Sequence, residues 1–401
     1  MRVLPILAAI LTTAAVPVAG ASATTPGTQV LGAPELQPAD PDLAIAPSGA
    51  QVIAFTGRSD SGFAVLARSR ARAGGPWSPS VRVSPVARTR PAGPAVAIDP
   101  RGAAVVMWRT PDEPVRSAVR RSAGAEWTRL SVADGPAGFE SPAVALTEGT
   151  ATAAWVDGRG SARHARRAVL DVAAGAWRVS APLAVDGATA LSVGGDGTVA
   201  AVWAGPDAGG PGVDATADAT PGPVGASRHA PAAAGWEAPV KLTDAGSNPS
   251  ADVADDGSTI AGWKDVVGTP VNRAALRPAG SAGWSPPEDI GGGLFGPSVA
   301  VNGRGEALVA WLGPNDGGPA PFDVFARRRR GDAWEATVRL DAVDAGGSNA
   351  LVDLDDLGNG FVAVLDPEGP GSATVRDFVW TRPAPAPADA GGLAVGGDGE
   401  R

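Results

Sequence analysis

Carboxylates offer the widest choice of chemistry in this sequence of 401 residues, which has 42 Asp and Glu, 2 His, no Cys and no Tyr. Without Cys the chain has no thiol nucleophile, no disulfide and no site for lipid attachment to cysteine. His164 and His229 fall in predicted strands as exposed residues, so neither a Ser-His-Asp arrangement nor a His-based metal site is expected. A glycosidase needs only two carboxylates, and this enzyme class therefore stays open.

An aspartate recurs in each of seven predicted loops of the same kind. Each loop follows a strand that ends in a large residue, and the aspartates are Asp60, Asp112, Asp157, Asp207, Asp265, Asp316 and Asp366. A ring of carboxylates could bind a cation, accept hydrogen bonds from sugar hydroxyls or contact a basic partner. The alternative interpretation is turn chemistry, because Asp beside Gly or Pro is common in turns.

Other polar and aromatic residues lie in loops predicted for the same face. Rings at Phe139 and Phe295 could stack on a sugar or contact a peptide, or they could be local packing anchors. Arg159, Arg90 and Glu140 share this face. The predicted ligand site comprises Asp60, Asp112, Asp157, Arg159, Asp265, Asp316, Asp366, Phe139 and Phe295. An expanded loop at 204–225 either covers the central mouth of this face or is an insertion without a role.

Seven copies of one pattern position these loops. Each copy has a strand of small residues, a Gly turn and a second apolar strand, which ends at Phe55, Trp108, Trp155, Trp203, Trp263, Trp311 or Val364. A second tryptophan recurs at intervals of 48 to 59 residues, at Trp77, Trp127, Trp177, Trp236, Trp284 and Trp334. Such regular spacing indicates a repeat architecture. We number the copies units 1 to 7, with strands A to D: the Gly turn joins A and B, the Asp-bearing loop joins B and C, and the second Trp lies between C and D.

The strands are short, rich in small and β-branched residues, and separated by Gly, Pro, Asp or Asn, and no segment predicts a helix. Strand A, as at 94–98, is apolar on both faces, which is typical of the innermost strand of a propeller blade. The sequence therefore predicts an all-β, seven-bladed β-propeller with four-stranded antiparallel blades. Unit 7 lacks a D strand, so we predict that 28–32 pairs into the last blade and closes the ring.

Charge and the chain ends bear on partners and location. The net charge of −9 gives no attraction for nucleic acid or anionic lipid. Residues 1–23 predict a cleaved signal peptide, with Arg2, an apolar stretch and an Ala-Ser-Ala cleavage site, and an uncleaved anchor is the alternative. We expect the propeller to span 24–382 and 383–401 to be a disordered tail. Arginines on predicted C strands should pair with acids between blades, a basic docking stripe being the alternative.

Over roughly residues 28 to 382 the chain resembles secreted bacterial seven-bladed propellers of the sialidase-like or BNR-like kind. The family's Asp box, Ser-x-Asp-x-Gly-x-x-Trp, is not matched, because the turn glycine precedes the aromatic residue by six positions, as from Gly102 to Trp108. The resemblance implies a toroid with a ligand site on one loop face. It also implies catalysis by a tyrosine nucleophile, which this chain lacks, so sialidase activity is not expected.

These observations predict an exported, non-catalytic binding or scaffold propeller that contacts a carbohydrate or an extracellular protein through its B–C and D–A loops. The alternative is a glycan-active hydrolase or lyase that uses paired carboxylates. No cofactor and no metal are expected. The Asp-rich turns between A and B, as at 195–197 and 255–257, do not complete a calcium loop and are interpreted as tight hairpin turns.

Overall fold

The computed structural model describes residues 23–30, 39–59, 61–72, 75–110, 113–132, 142–157, 164–180, 183–184, 190–204, 222–231, 233, 235–266, 269–293, 295–315, 322–343, 350–369 and 372–380. Regular structure in these ranges is β-strand, and the strands pair antiparallel. None of these ranges holds a helix with the length and hydropathy needed to cross a membrane. Almost all of the predicted signal peptide and the whole predicted tail lie outside the described residues.

Units 1 and 2 each form a four-stranded sheet in chain order. The N-terminal strand β1 (Ala23–Val30) precedes them and joins a later sheet. Unit 1 contains β2 (Ala39–Ile45), β3 (Gln51–Ser59), β4 (Gly62–Arg70) and β5 (Val81–Arg82). Unit 2 contains β6 (Ala92–Ile98), β7 (Ala104–Arg109), β8 (Arg116–Arg120) and β9 (Thr128–Ser131). Strand β7 is buried along its whole length because neighbouring sheets cover both of its faces, whereas β9 is mostly exposed at the outer edge.

Units 3 to 5 depart from the predicted four-stranded pattern. Unit 3 has five strands: β10 (Ala143–Thr147), β11 (Thr150–Asp157), β12 (His164–Asp171), and the short β13 (Ala176–Val179) and β14 (Leu183–Ala184), which both pair with β12. Units 4 and 5 form one seven-stranded sheet of β15 (Ala190–Val193), β16 (Val199–Ala204), β17 (Gly222–His229), β18 (Val240–Val253), β19 (Thr259–Asp265), β20 (Val271–Arg277) and β21 (Glu288–Gly291). The 14-residue β18 pairs with β17 through its first half and with β19 through its second, so it is at once strand D of unit 4 and strand A of unit 5.

Unit 6 is again five-stranded and unit 7 takes a strand from the N-terminus. Unit 6 contains β22 (Ser298–Val301), β23 (Ala307–Pro314), β24 (Phe322–Arg330), β25 (Ala333–Trp334) and β26 (Val338–Val343). Unit 7 contains β27 (Leu351–Leu354), β28 (Gly360–Gly369) and β29 (Ser372–Trp380), and β1 pairs with β29 from Ala23 opposite Trp380 to Val30 opposite Thr374. The N-terminal strand thus covers 23–30 rather than the predicted 28–32.

The inner strands of the units form a closed circle. Each contacts the next in the order β2, β6, β10, β15, β18, β22, β27 and back to β2. They enclose a central cavity of about 650 Å³. Outside this circle the core consists of separate clusters, each of which packs the apolar residues of adjacent sheets together, as where Trp155 meets Met107 and Val105 between units 2 and 3. The circle therefore depends on contacts between consecutive units.

Tryptophans that close the B strands pack in the interior of the structure. The B-strand residues Trp108, Trp155, Trp263 and Trp311 are buried, with at most 3% exposure. One histidine differs from prediction. His229 is buried, at 6% exposure, because it ends a C strand and the ring of Trp236 packs edge-on against it at 5.7 Å.

Candidate functional site

Two of the predicted site aspartates form ion pairs inside their own sheets. Asp157 Oδ2 lies 2.5 Å from Arg166 Nε, and Asp265 Oδ2 lies 3.2 Å from Arg273 Nε. Each aspartate is the last residue of a B strand. Across the hairpin, each arginine lies opposite the tryptophan two residues before that aspartate, Arg166 opposite Trp155 and Arg273 opposite Trp263. The same ion pair therefore occurs in units 3 and 5, where it neutralises the carboxylates and joins strand B to strand C.

The third predicted residue with a described side chain is Phe295, which packs locally. Its ring meets that of Phe322 edge to face, with 5.5 Å between centroids, and it lies against the core cluster of units 6 and 7. Arg90, which shares its predicted face, pairs with Asp40 at 2.6 Å, and both side chains are exposed. These contacts agree with the packing interpretation of Phe295.

Of the other predicted site residues, the structure describes only the backbone of Asp366. Asp366 lies in strand β28 opposite Thr374, although it was predicted in a loop, and its side chain is not among the described ones. The remaining predicted residues, and most of the loop 204–225, lie outside the described residues: Asp60, Asp112, Arg159, Asp207, Asp316, Phe139 and Glu140. Asp157, Asp265 and Phe295 belong to different sheets or connections and form no common site.

The acidic residues that line the central cavity include three on its inner strands that were not predicted as site residues. Asp42, Asp252 and Asp353 line it, each from an inner strand. Each carboxylate accepts a backbone N–H from the inner strand of the following unit: Asp42 from Val96 at 2.7 Å, Asp252 from Val301 at 2.9 Å and Asp353 from Ile45 at 2.5 Å. The sequence signal was an Asp inside an otherwise small and apolar strand, as in the segments 41–45 and 251–254.

The cavity environment favours the protonated form of all three carboxyl groups. Burial raises the pKa of Asp42 to about 7, against the lowering effect of its backbone hydrogen bonds, and the charge of Asp252 raises it further. Burial also raises the pKa of Asp252, and it raises that of Asp353 well above the ordinary value, with added repulsion from Asp252 and Asp42. These side chains keep partial exposure to the cavity. Their pKa rise therefore reflects enclosure by the inner strands, with no counter-ion for these three groups among the described residues.

The A–B turns close on one another at one end of the cavity. Gly195 N donates to Asp255 Oδ1 at 3.0 Å, and Gly303 N donates to Asp356 Oδ1 at 3.3 Å, so each carboxylate joins two turns. A Cβ at residue 195 would lie 1.9 Å from Thr147 Oγ1, which is why this turn requires glycine. Other turn residues accept N–H groups within their own turn, namely Asp99, Asp196, Asp256 and Asn302. The hairpin-turn interpretation of these residues is thus confirmed.

Metal coordination finds no support in the described part of the chain, where no group of three or more His, Asp or Glu side chains could hold an ion. The three cavity carboxylates are directed to backbone N–H groups instead. A carboxylate that accepts a backbone N–H keeps lone pairs for a further partner. The cavity could therefore donate or accept protons, or accept hydrogen bonds, without a metal.

A second cavity, of about 370 Å³, lies on the predicted loop face between units 1 and 2. We call it the interunit cleft. One side is the D–A connection between units 1 and 2, residues 84–91; the other is the B–C loop of unit 2, at Thr110 and Glu113, with strands β8 and β9. Trp108 and Ser117 are buried and form its floor, whereas Glu113, Arg129 and Ser131 are exposed at its rim. It is thus the meeting point of the two kinds of connection that the sequence analysis predicted to bind ligand.

Several contacts hold the 84–91 side of the cleft in place. Ala87 and Phe63 exchange two backbone hydrogen bonds, of 2.7 and 2.8 Å. Arg129 donates from Nε to Val83 O at 2.9 Å and from Nη2 to Ser84 O at 3.3 Å. Residue 62 has a φ of 131°, and a Cβ there would lie 2.4 Å from Ala87 O, so this close approach requires Gly62. The cleft therefore has a fixed wall.

Among the described residues that line the cleft, basic groups outnumber acidic ones. These residues include Arg116 and Arg129 and one carboxylate, Glu113, whereas the whole chain carries a net charge of −9. Arg116 donates from Nη1 to Ser131 Oγ at 2.8 Å, its one side-chain hydrogen bond to a described residue. A guanidinium has five N–H donors in a planar fork, so four remain. No spacing in the sequence indicated this cleft, although Glu113 and Arg116 closely follow the predicted Asp112.

Comparisons with known proteins identify the fold. No protein-family model matches, and no curated protein matches the chain. Among solved structures it is similar to YCF48 bound to D1 peptide (15% identity, TM-score 0.52, covering 89% of this chain and 94% of that one). It is also similar to the polysaccharide lyase Uly1 (11%, 0.51, covering 82% and 88%) and to a protein of unknown function from Dyadobacter fermentans DSM 18053 (13%, 0.50, covering 89% and 100%). The structural neighbours are β-propellers, so the predicted propeller architecture is confirmed at this level, and identities this low show the fold alone.

Proposed function

We propose that the protein is an exported, non-catalytic seven-bladed propeller that binds a carbohydrate or an extracellular protein through its B–C and D–A loop face. The blade count is supported by the closed circle of seven inner strands. It requires β18 to serve two blades, units 3 and 6 to carry a divided outer strand, and β1 to complete the last blade. With β1 in place, strand β29 is paired on both sides and the last blade has four strands, as units 1 and 2 have.

The interunit cleft is the observation that carries the binding proposal. Binding sites are concave and combine an apolar floor with a few placed polar groups. The cleft has Trp108 in its floor and arginine, hydroxyl and carboxylate groups around it. Described residues fix the 84–91 wall of the cleft, namely Arg129, Phe63 and Gly62. Among proteins of similar fold, one holds a peptide and another is a polysaccharide lyase, so the fold suits both ligand classes.

A blocking substitution tests this proposal. Ser131→Trp places a bulky side chain at the cleft rim on the exposed strand β9, and Thr128→Trp on the same strand lies away from the cleft lining. On glycan and extracellular-protein arrays we expect the mature protein to capture at least one ligand, S131W to lose most of that capture and T128W to retain it. Capture unaffected by S131W, or no capture at all, contradicts the proposal.

The export part of the proposal has its own test. N-terminal sequencing of the exported protein should begin at residue 24.

The second candidate is a glycan-active hydrolase or lyase centred on Asp42, Asp252 and Asp353. Their raised pKa favours it, because carboxyl groups that hold a proton near neutral pH can act as general acids. We rank it second because each carboxylate already holds the next inner strand by a backbone N–H. Polysaccharide turnover that is lost in Asp252→Asn while the fold is retained would favour the enzyme over the binding protein.

A further inference from the structure

Of the two arginines in the interunit cleft, Arg116 has fewer hydrogen bonds to described residues. It lies at the start of β8, half-buried between the floor and the rim, and its Nη1 is held by Ser131 Oγ at 2.8 Å. Arg129, by contrast, directs two of its nitrogens to the carbonyls of Val83 and Ser84. Arg116 is therefore fixed at one nitrogen and retains the paired donors of Nε and Nη2, a geometry that matches the two oxygens of a carboxylate.

The other cleft residues restrict what carries that carboxylate. Glu113 is exposed at the rim and accepts hydrogen bonds, and the hydroxyls of Ser131 and Thr110 lie on the same lining. A ligand with one carboxylate and several hydroxyls complements this set, because Glu113 can accept from a hydroxyl. An acidic peptide also brings carboxylates, but a peptide such as polyglutamate offers no ring hydroxyls from which Glu113 could accept hydrogen bonds. The cavity of about 370 Å³ is within the size range of small-ligand sites.

We infer that the interunit cleft binds a uronic acid residue of an acidic saccharide, with Arg116 contacting its carboxylate. The inference rests on the proposed function and names its ligand class. Arg116 supplies two parallel N–H donors, Glu113 and Ser131 contact ring hydroxyls, and Trp108 closes the floor. Charge-assisted hydrogen bonds of this kind are about twice as strong as neutral ones, so the carboxylate dominates recognition.

The test uses pairs of probes that differ only in the carboxylate. Oligosaccharides of galacturonate, glucuronate and mannuronate are compared with their neutral methyl esters by isothermal titration calorimetry on the mature protein, with hexaglutamate as the acidic peptide. We expect at least one acid to bind 10-fold or more tightly than its ester and than hexaglutamate. Equal binding of acid and ester, tighter binding of hexaglutamate, or no binding of any uronate overturns the inference.

Variants assign the effect to Arg116. Arg116→Gln removes the charge, and we expect roughly a 10-fold or greater loss for the acid with little change for the ester. Arg101→Gln changes the net charge equally but lies on the A–B turn of the same unit, exposed and at the other end of the sheet, and should bind as the wild type does. R116Q binding as tightly as R101Q overturns the inference. If S131W abolishes capture of some other ligand that R116Q still binds, the proposed function stands and only the uronate assignment fails.

Discussion

Consecutive units of this propeller are joined by acidic side chains near the axis and by basic side chains near the periphery. At the axis, carboxylates accept backbone N–H groups across units, as from Asp42 to Val96. Farther out, buried arginines at the ends of C strands reach into the adjacent unit. Arg120 donates to Ser69 Oγ at 3.1 Å, Arg328 donates to Gly358 O, and Arg70 lies over the ring of Phe361 at 5.3 Å.

The two regions differ in how they compensate for lost hydration. The peripheral arginines have aromatic rings or acids beside them: Arg120 lies 5.3 Å over Trp127, and Arg328 pairs with Glu306 at 3.0 Å. Burial lowers the pKa of both arginines from an ordinary value far above neutrality. The axial carboxylates have only N–H and hydroxyl donors, and burial raises their pKa toward neutrality. Junctions at the axis should therefore respond to pH between 4 and 8, whereas peripheral ones should not.

The largest effect should come from breaking a peripheral junction. Arg328 is fully buried, and Arg328→Ala leaves the mostly buried Glu306 without its counter-charge and Gly358 O without its donor. We expect the free energy of unfolding to fall by about 3–5 kcal/mol in chemical denaturation. Arg304→Ala, at an exposed position of the same unit, is the control and should change stability little. Equal stability of the two variants would show that Arg328 does not hold units 6 and 7 together.

A smaller, pH-dependent effect should come from the axis. The unfolded chain loses the Asp42 proton near pH 4, whereas the folded protein keeps it until about pH 7. Between these values the folded state binds more protons, so raising the pH lowers the free energy of unfolding. Asp42→Asn has no such proton to lose and can still accept the N–H of Val96.

We therefore expect D42N to match the wild type near pH 4 and to exceed its stability at pH 8 by about 1–2 kcal/mol. This is less than the full shift implies, because the side chain keeps some exposure to the cavity. Denaturant unfolding at a series of pH values measures the difference. Asp332→Asn, at a fully exposed side chain, should follow the wild-type curve. A D42N curve parallel to that of the wild type would contradict the raised pKa.

The features that could be predicted from the sequence are those that recur from unit to unit. The Gly turn and the closing tryptophan recur in most units, so strands A and B and the packing of Trp108 or Trp311 followed from spacing alone. The continuity of β18 did not, because the link between units 4 and 5 carries turn-like residues, Asp244 to Pro249, that pair into the ladder through a register shift. Whether such a segment turns or extends depends on its neighbours in the sheet.

Candidate sites were harder to predict because they arise between units. Asp157 and Asp265 were recognised as loop carboxylates, but their arginine partners lie across hairpins whose register the sequence did not define. The interunit cleft depends on the bridge between Phe63 and Ala87, a contact that no local pattern encodes. Carboxylates that point into the cavity, such as Asp353, occur in single units at positions where most other units have alanine. Comparing the repeats therefore did not single them out.

The smallest effect should come from Arg120→Lys, which keeps the charge of a peripheral junction and removes its planar fork. Lysine cannot both cover Trp127 and donate to Ser69 Oγ as the guanidinium does. We expect the free energy of unfolding to fall by about 1 kcal/mol, and by the same amount at pH 5 and pH 8, since this junction contains no carboxyl group of the axis. Arg121→Lys, at the exposed neighbouring position, should leave stability unchanged. A loss in R120K that grew with pH would mean that the peripheral junctions share the titration of the axis, and the two regions would then not be independent.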